Sequence, residues 1–152
     1  MKNKLKSIAA IAFSIMLCVV ANPTTAHAAP APQLTSFKIV KVASQNGGIE
    51  AINNSSTMYI VSTSNDHGGT WLEVTIEEIG YAGYRQATFN GNSMTLISTT
   101  PIDNNNDSII DGYECTWRYS SSTGFTNGTF TASSKSVNYP YTTKTISYFN
   151  IK

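Results

Sequence analysis

Leu72, Val74 and Ile76 alternate with Glu73, Thr75 and Glu77, and Tyr113, Cys115, Trp117 and Tyr119 alternate with Glu114, Thr116 and Arg118. A period of two puts each set on one face of a strand, with one face buried and the other wet. Runs of this kind, rich in β-branched and aromatic residues, predict strands at Leu34–Ala43, Thr57–Thr63, Thr70–Ile79, Arg85–Phe89, Ser93–Ser98, Tyr113–Ser120, Thr123–Ala132 and Thr142–Ile151. Clusters of Gly, Asn, Pro or Asp bound them, and no segment holds a helical period with caps. Gln45-Asn46-Gly47-Gly48 closes the first strand. Asn90-Gly91, between Ala87-Thr88-Phe89 and Met94-Thr95-Leu96, reads as a hairpin turn, and Asn127-Gly128 between Phe125 and Phe130 reads as a second. The pattern predicts an all-β fold, a small β-sandwich or open barrel of about eight short strands, with no internal repeat and no second domain.

The first residues break this pattern. Lys2, Lys4 and Lys6 precede an apolar run from Ile8 to Ala21, and Ala26-His27-Ala28 supplies an A-x-A cleavage signal. Residues 1–28 therefore read as a secretory signal peptide of Gram-positive style, leaving 29–152 as a single secreted β domain with no membrane span after cleavage. The apolar run is shorter than the ~20 residues a spanning helix needs. Cys18 leaves with the signal, and Leu17 before it is too large for a lipobox. Cys115 then has no partner for an internal disulfide and reads as a small buried core residue, with Arg118 its one basic neighbour in sequence.

From Ala29 onward seven Lys and Arg face nine Asp and Glu, a net of −2. Four of those acids, Asp103, Asp107, Asp111 and Glu114, fall within one stretch of the chain. There is no basic run to follow a phosphate backbone, so nucleic acid is excluded as the expected partner.

The acidic stretch reads D-N-N-N-D-S-I-I-D-G-Y-E from Asp103 to Glu114. Side-chain oxygens at Asp103, Asn105 and Asp107, followed by Asp111 and Glu114, have the spacing of a calcium loop, and a hard cation such as Ca²⁺ takes six to eight oxygens. Ile109 would add a backbone carbonyl and Ile110 would plug into the core. Strands on both sides exclude a helix–loop–helix EF-hand and point to a D-x-[DN]-x-D-type loop bridging two strands. Ser108 occupies the sharp-turn position where such loops use Gly, at some cost in a left-handed conformation. The competing reading is an Asn/Asp-rich turn that caps its own backbone. A structural Ca²⁺ bound at ~10⁻⁵ to 10⁻³ M would staple two strands in a chain that lacks disulfides.

Catalytic sets are thin. His67, in Asp66-His67-Gly68-Gly69-Thr70-Trp71, is the last histidine after signal removal, which excludes a His-rich zinc site. A Ser–His67–Asp66 or Cys115–His67 arrangement competes with a Gly-rich turn leading into the Trp71 strand, and the turn is the simpler reading. Glu73, Glu77 and Glu78 could form a glycosidase-like carboxylate pair, but they read more simply as a solvated strand face. Tyr81, Tyr84, Tyr139 and Tyr141 could stack on a sugar or anchor a partner, or pack into the core.

Asp66–Trp71 (D-H-G-G-T-W), Val74–Tyr84 (V-T-I-E-E-I-G-Y-A-G-Y) and Pro101–Gly112 (P-I-D-N-N-N-D-S-I-I-D-G) resemble the YolA-like small secreted proteins of spore-forming bacteria, over nearly the whole mature chain. That resemblance implies secretion and a single domain of unknown function, and it adds no activity. The expected function is a secreted, calcium-stabilised, non-enzymatic binding protein acting on a cell-wall glycan or a surface protein, with a toxin- or bacteriocin-like role compatible. The alternative is a small secreted hydrolase of wall glycan or peptide. No catalytic residue is assigned from sequence.

Overall fold

The computed structural model describes residues 32–53 and 61–152. The expected signal peptide 1–28, and residues 57–60 of the expected Thr57–Thr63 strand, lie outside them. The described residues form nine strands: β1 Ser36–Ser44, β2 Gly48–Ala51, β3 Gly69–Ile79, β4 Ala82–Phe89, β5 Asn92–Ser93, β6 Thr95–Ile102, β7 Gly112–Phe125, β8 Gly128–Ser136 and β9 Thr143–Ile151. They build two antiparallel sheets, ordered β2-β1-β3-β7-β6 and β5-β4-β8-β9. The fold is all-β and a sandwich, as the alternation predicts. It is not a closed barrel.

The two inner faces meet in one core. Leu72, Val74 and Ile76 of β3 and Cys115 and Trp117 of β7 pack with Ala87 and Phe89 of β4, Phe130 and Ala132 of β8, and Phe149 and Ile151 of β9. Phe89 is the aromatic hub, with Tyr119 and Phe125 rings each 5.1 Å from its centroid. Ring pairs at this separation add to the area they bury.

Several expected elements are redrawn. Gln45–Gly48 ends the first strand as expected, and it does so as the turn of a hairpin, since β2 folds back along Lys41–Ser44. The expected strand Ser93–Ser98 divides at Met94: β5 pairs with β4, and β6 crosses to the other sheet beside β7. Asn90-Gly91 is a tight turn as predicted, both residues having left-handed backbone (φ 49° and 76°). Asn127-Gly128 is not a hairpin. It carries the chain from β7 in one sheet to β8 in the other, and Asn90 clamps it, its Nδ2 donating to Asn127 O and its Oδ1 accepting Thr129 N–H. The break expected at Ser121–Ser122 is absent, because β7 continues past it until Phe125 pairs with Gly69.

Glu78 is the main correction to the core. It lies on the inward face with Leu72, Val74 and Ile76, and it is fully buried rather than solvated. Arg85 of β4 reaches across the sandwich to it, Nε to Oε2 at 2.7 Å. The pair joins one sheet to the other, and the Arg85 guanidinium also lies over the Tyr113 ring at 5.7 Å.

Candidate functional site

Three places gather the chemistry. The first is the 103–111 loop, which connects β6 to β7 as expected. Asp103 accepts the Asp107 and Ser108 N–H groups at 3.3 and 2.9 Å, Asp107 accepts Ile109 N–H at 2.8 Å, and Asp111 accepts Asn104 N–H at 2.8 Å. Asn105 bonds Asp107 through both its oxygen and its nitrogen. Ser108 has φ 68°, so the position that favours Gly does adopt the left-handed turn, and Asn106 has φ 57°. Ile109 turns its side chain to solvent and Ile110 is half-buried. Glu114 lies in β7, in register with Glu77 of β3 and Thr100 of β6. Among the described residues no three His, Cys, Asp or Glu side chains converge as a metal-holding group.

The loop is anchored where it enters β7. Asp111 N–H donates to Ile102 O, and Asp111 O accepts Gly80 N–H, both at 2.7 Å. A Cβ on Gly112 would fall 2.0 Å from Glu78 O, so only glycine lets β7 start this close to β3.

The second place is a buried pocket around His67. Ser44 Oγ accepts N–H from Gly47 and Gly68 at 3.0 and 3.3 Å, which fills its lone pairs. Its hydroxyl therefore donates to His67 Nδ1 at 2.9 Å. The other ring nitrogen, Nε2, then carries the proton and points to Glu50 Oε2 at 3.3 Å. Glu50 also accepts Ser64 and Asn65 N–H at 2.7 and 2.9 Å. Burial alone would raise the Glu50 carboxyl, but these N–H groups and His67 outweigh it and hold it below its ordinary 4.5. A Cβ on Gly47 would meet His67 Nδ1 at 2.5 Å, so that turn glycine makes room for the ring.

In outline this is a Ser–His–Glu row, but its hydroxyl is not available to a substrate. Ser44 is 2% exposed and bonded on all sides, and the His67 side chain is wholly buried. Asp66, the expected sequence neighbour in a triad, is exposed and takes no part. Cys115 is far from this chemistry too. It is buried beside Glu78 and Arg85, and burial together with the Glu78 charge pushes its thiol up to about 11, which makes it inert. Its basic neighbour is Arg85, not Arg118.

Glu73 and Glu77 behave as an outer-face pair of carboxylates, but each has its own cation: Glu73 with Arg118 at 3.3 Å and Glu77 with Lys38 at 2.9 Å. With Glu78 on the other side of the strand, the three acids do not form a shared cleft.

The third place is aromatic. Tyr81 packs edge to face on Tyr113, 5.7 Å apart, as a half-buried core-edge residue. The other three expected tyrosines are in water: Tyr84 is 60% exposed, Tyr139 79% and Tyr141 55%. Tyr139 and Tyr141 stand perpendicular to each other, 6.2 Å between centroids, on the turn between β8 and β9. Tyr84 is on β4 in register with Lys135, just before that turn, so all three lie at one end of the four-stranded sheet.

Ser44, Glu50 and Arg85 were not legible as partners from local pattern. Two signals were present nonetheless. In the doublet Glu77-Glu78 one acid must face inward, and Arg85 shares its parity with Ala87 and Phe89.

These features define a class: an antiparallel β-sandwich whose His67 and core charges are engaged within the fold and three of whose exposed tyrosines, Tyr84, Tyr139 and Tyr141, gather at one end. The chain belongs to the family described as Domain of unknown function (DUF4879), which it matches over residues 29–151. No curated protein and no solved structure matches it.

Proposed function

We propose that this chain is a secreted, non-enzymatic binding domain that attaches to cell-wall glycan through its exposed tyrosines, with Ca²⁺ in the 103–111 loop as a structural staple. The observation that carries the reading is the grouping of Tyr84, Tyr139 and Tyr141 in solvent at one end of the sandwich. Aromatic rings bury large area at low entropic cost, and they serve as anchors in recognition sites. The buried and fully bonded Ser44–His67–Glu50 row argues for binding over hydrolysis. The A-x-A signal and the resemblance to YolA-like secreted proteins support export.

For calcium, the support is the left-handed Ser108 and the way Asp103 accepts the Asp107 and Ser108 N–H groups, which curls the loop round its carboxylates. Asp103, Asn105, Asp107, Asp111 and the Ile109 carbonyl would supply the oxygens, with Glu114 as the outermost candidate.

The test is retention on purified peptidoglycan. Wild type should be retained, and the Tyr84→Ala/Tyr139→Ala/Tyr141→Ala variant should wash through while keeping its thermal midpoint. Failure of wild type to bind, or equal retention of the variant, overturns the reading. Zymography with wild type should show no clearing.

A further inference from the structure

The outer face of the four-stranded sheet forms a groove of about 390 Å³ across β4, β8 and β9. Gln86 and Thr88 of β4, Thr131 and Ser133 of β8, and Thr145 and Ser147 of β9 line it, and no charged side chain is among the lining residues. We infer that this groove binds an uncharged, polyhydroxylated chain, a neutral glycan, with Tyr84 as the ring platform at one end. The inference rests on the binding function proposed above and gives it a site and a ligand class.

The chemistry of the lining selects the ligand. Hydroxyls and a primary amide both donate and accept hydrogen bonds, which matches the mixed donors and acceptors of sugar hydroxyls. A charged polymer would find no counter-charge among the lining residues, and a single lysine, Lys135, beside Tyr84 at one end, so most of its charge would be buried unpaired at a cost. An apolar peptide would strand the row of hydroxyls without partners. Tyr84 is prepared for stacking: its hydroxyl donates to Gln86 Oε1 at 3.0 Å, which fixes the ring at the groove's edge while most of it stays open. Thr88 and Thr131 are similarly held to each other across the strands at 2.8 Å.

The far end is marked by a bulge. Phe130 pairs with Phe149 and Ala132 with Ile146, so Ser147 and Tyr148 together stand against Thr131. The extra residue puts a second exposed tyrosine, Tyr148, at that end. Bulges commonly re-aim a side chain next to a binding site. From Lys135, opposite Tyr84, to Thr131 is four residues of β8, roughly 13 Å along the strand. That is room for a short run of sugar rings between two aromatic ends.

Isothermal titration of the mature chain with neutral N-acetylglucosamine oligomers, set beside peptidoglycan retention, tests the inference. Wild type should bind the oligomers. Gln86→Ala/Thr145→Arg, both at exposed positions, should weaken binding at least tenfold without moving the thermal midpoint, and Thr145→Ser should bind like wild type. A polyanionic glycan of similar length should bind at least tenfold more weakly. If the Gln86→Ala/Thr145→Arg variant keeps both oligomer binding and wall retention, the groove is not the site and the inference falls while the binding function stands. If the polyanion binds as well as the neutral oligomers, the ligand class is wrong. If wild type binds neither oligomers nor wall, the proposed function itself fails.

Discussion

The two sheets of the sandwich turn opposite surfaces to water. The five-stranded sheet carries charge outside, where Lys38 pairs with Glu77 and Arg118 with Glu73, and Lys41 and Glu114 share the same face. The Arg118 guanidinium also lies over Trp71, 5.3 Å from the ring centre. The four-stranded sheet shows hydroxyls and an amide, with Tyr84 and Tyr148 exposed at its margins. Exposed charges already paired with each other offer little to a ligand. A face of hydroxyls with exposed rings and one lysine, Lys135, is the one the proposed binding would use. The difference separates a charged surface from one of hydroxyls and rings.

The largest expected effect comes from cutting the link between the sheets. Glu78→Ala leaves the Arg85 guanidinium partly buried without its carboxylate and should cost about 3 kcal/mol in urea unfolding. A loss under about 1 kcal/mol would mean that the sheets are held together by apolar packing alone. Next is the loop that joins β6 to β7 in the charged sheet. Free calcium at a hundred times its Kd should stabilise the domain by about 2.7 kcal/mol, read as a rise in thermal midpoint that chelator reverses. Asp107→Ala should abolish that rise, and an unchanged wild-type midpoint would dispose of the staple.

The pH dependence of the buried pocket is smaller and has a definite sign. The Glu50 carboxyl lies below its ordinary 4.5 in the folded protein, so its contribution is complete above that value and is lost as pH falls through the lowered one. Glu50→Gln should therefore flatten the acid limb of the stability profile while leaving the neutral region parallel to wild type. The smallest effect tests the other side of the comparison. Glu77→Ala breaks an ion pair whose Lys38 end is 43% exposed, and it should change stability by less than about 1 kcal/mol. Adjacent glutamates on one strand would then differ severalfold in cost purely by the face they occupy.

Much of this was legible in the chain. The alternation in Leu72–Glu77 and in Tyr113–Tyr119 fixes which residues line the core, and Asn90-Gly91 fixes a turn, because these depend on local geometry. The sorting of strands between sheets was not legible. Ser93–Ser98 reads as one strand since nothing within it says that its halves pair with partners in different sheets. Asn127-Gly128 has the composition of a hairpin, and only the non-local pairing of β7 with β3 and of β8 with β4 makes it a crossover. The candidate sites divide in the same way. The 103–111 loop is contiguous and announces itself, whereas the Glu78–Arg85 and Ser44–His67–Glu50 contacts join segments that only the folded sandwich brings together.

The interleaved strand order also governs how the domain can form. The Thr75–Thr116 hydroxyl pair in one sheet and the Thr88–Thr131 pair in the other each span more than forty positions, with separations of 41 and 43. Both sheets therefore wait on the second half of the chain: β3 has one neighbour until β7 arrives, and β4 has only the two-residue β5 until β8 arrives. Closing such long loops before any contact rewards them slows folding, toward the millisecond-to-second range of sandwiches. A fragment ending before β7 would have half a core and two open sheet edges, so the domain should assemble as one cooperative unit rather than in stages along the chain.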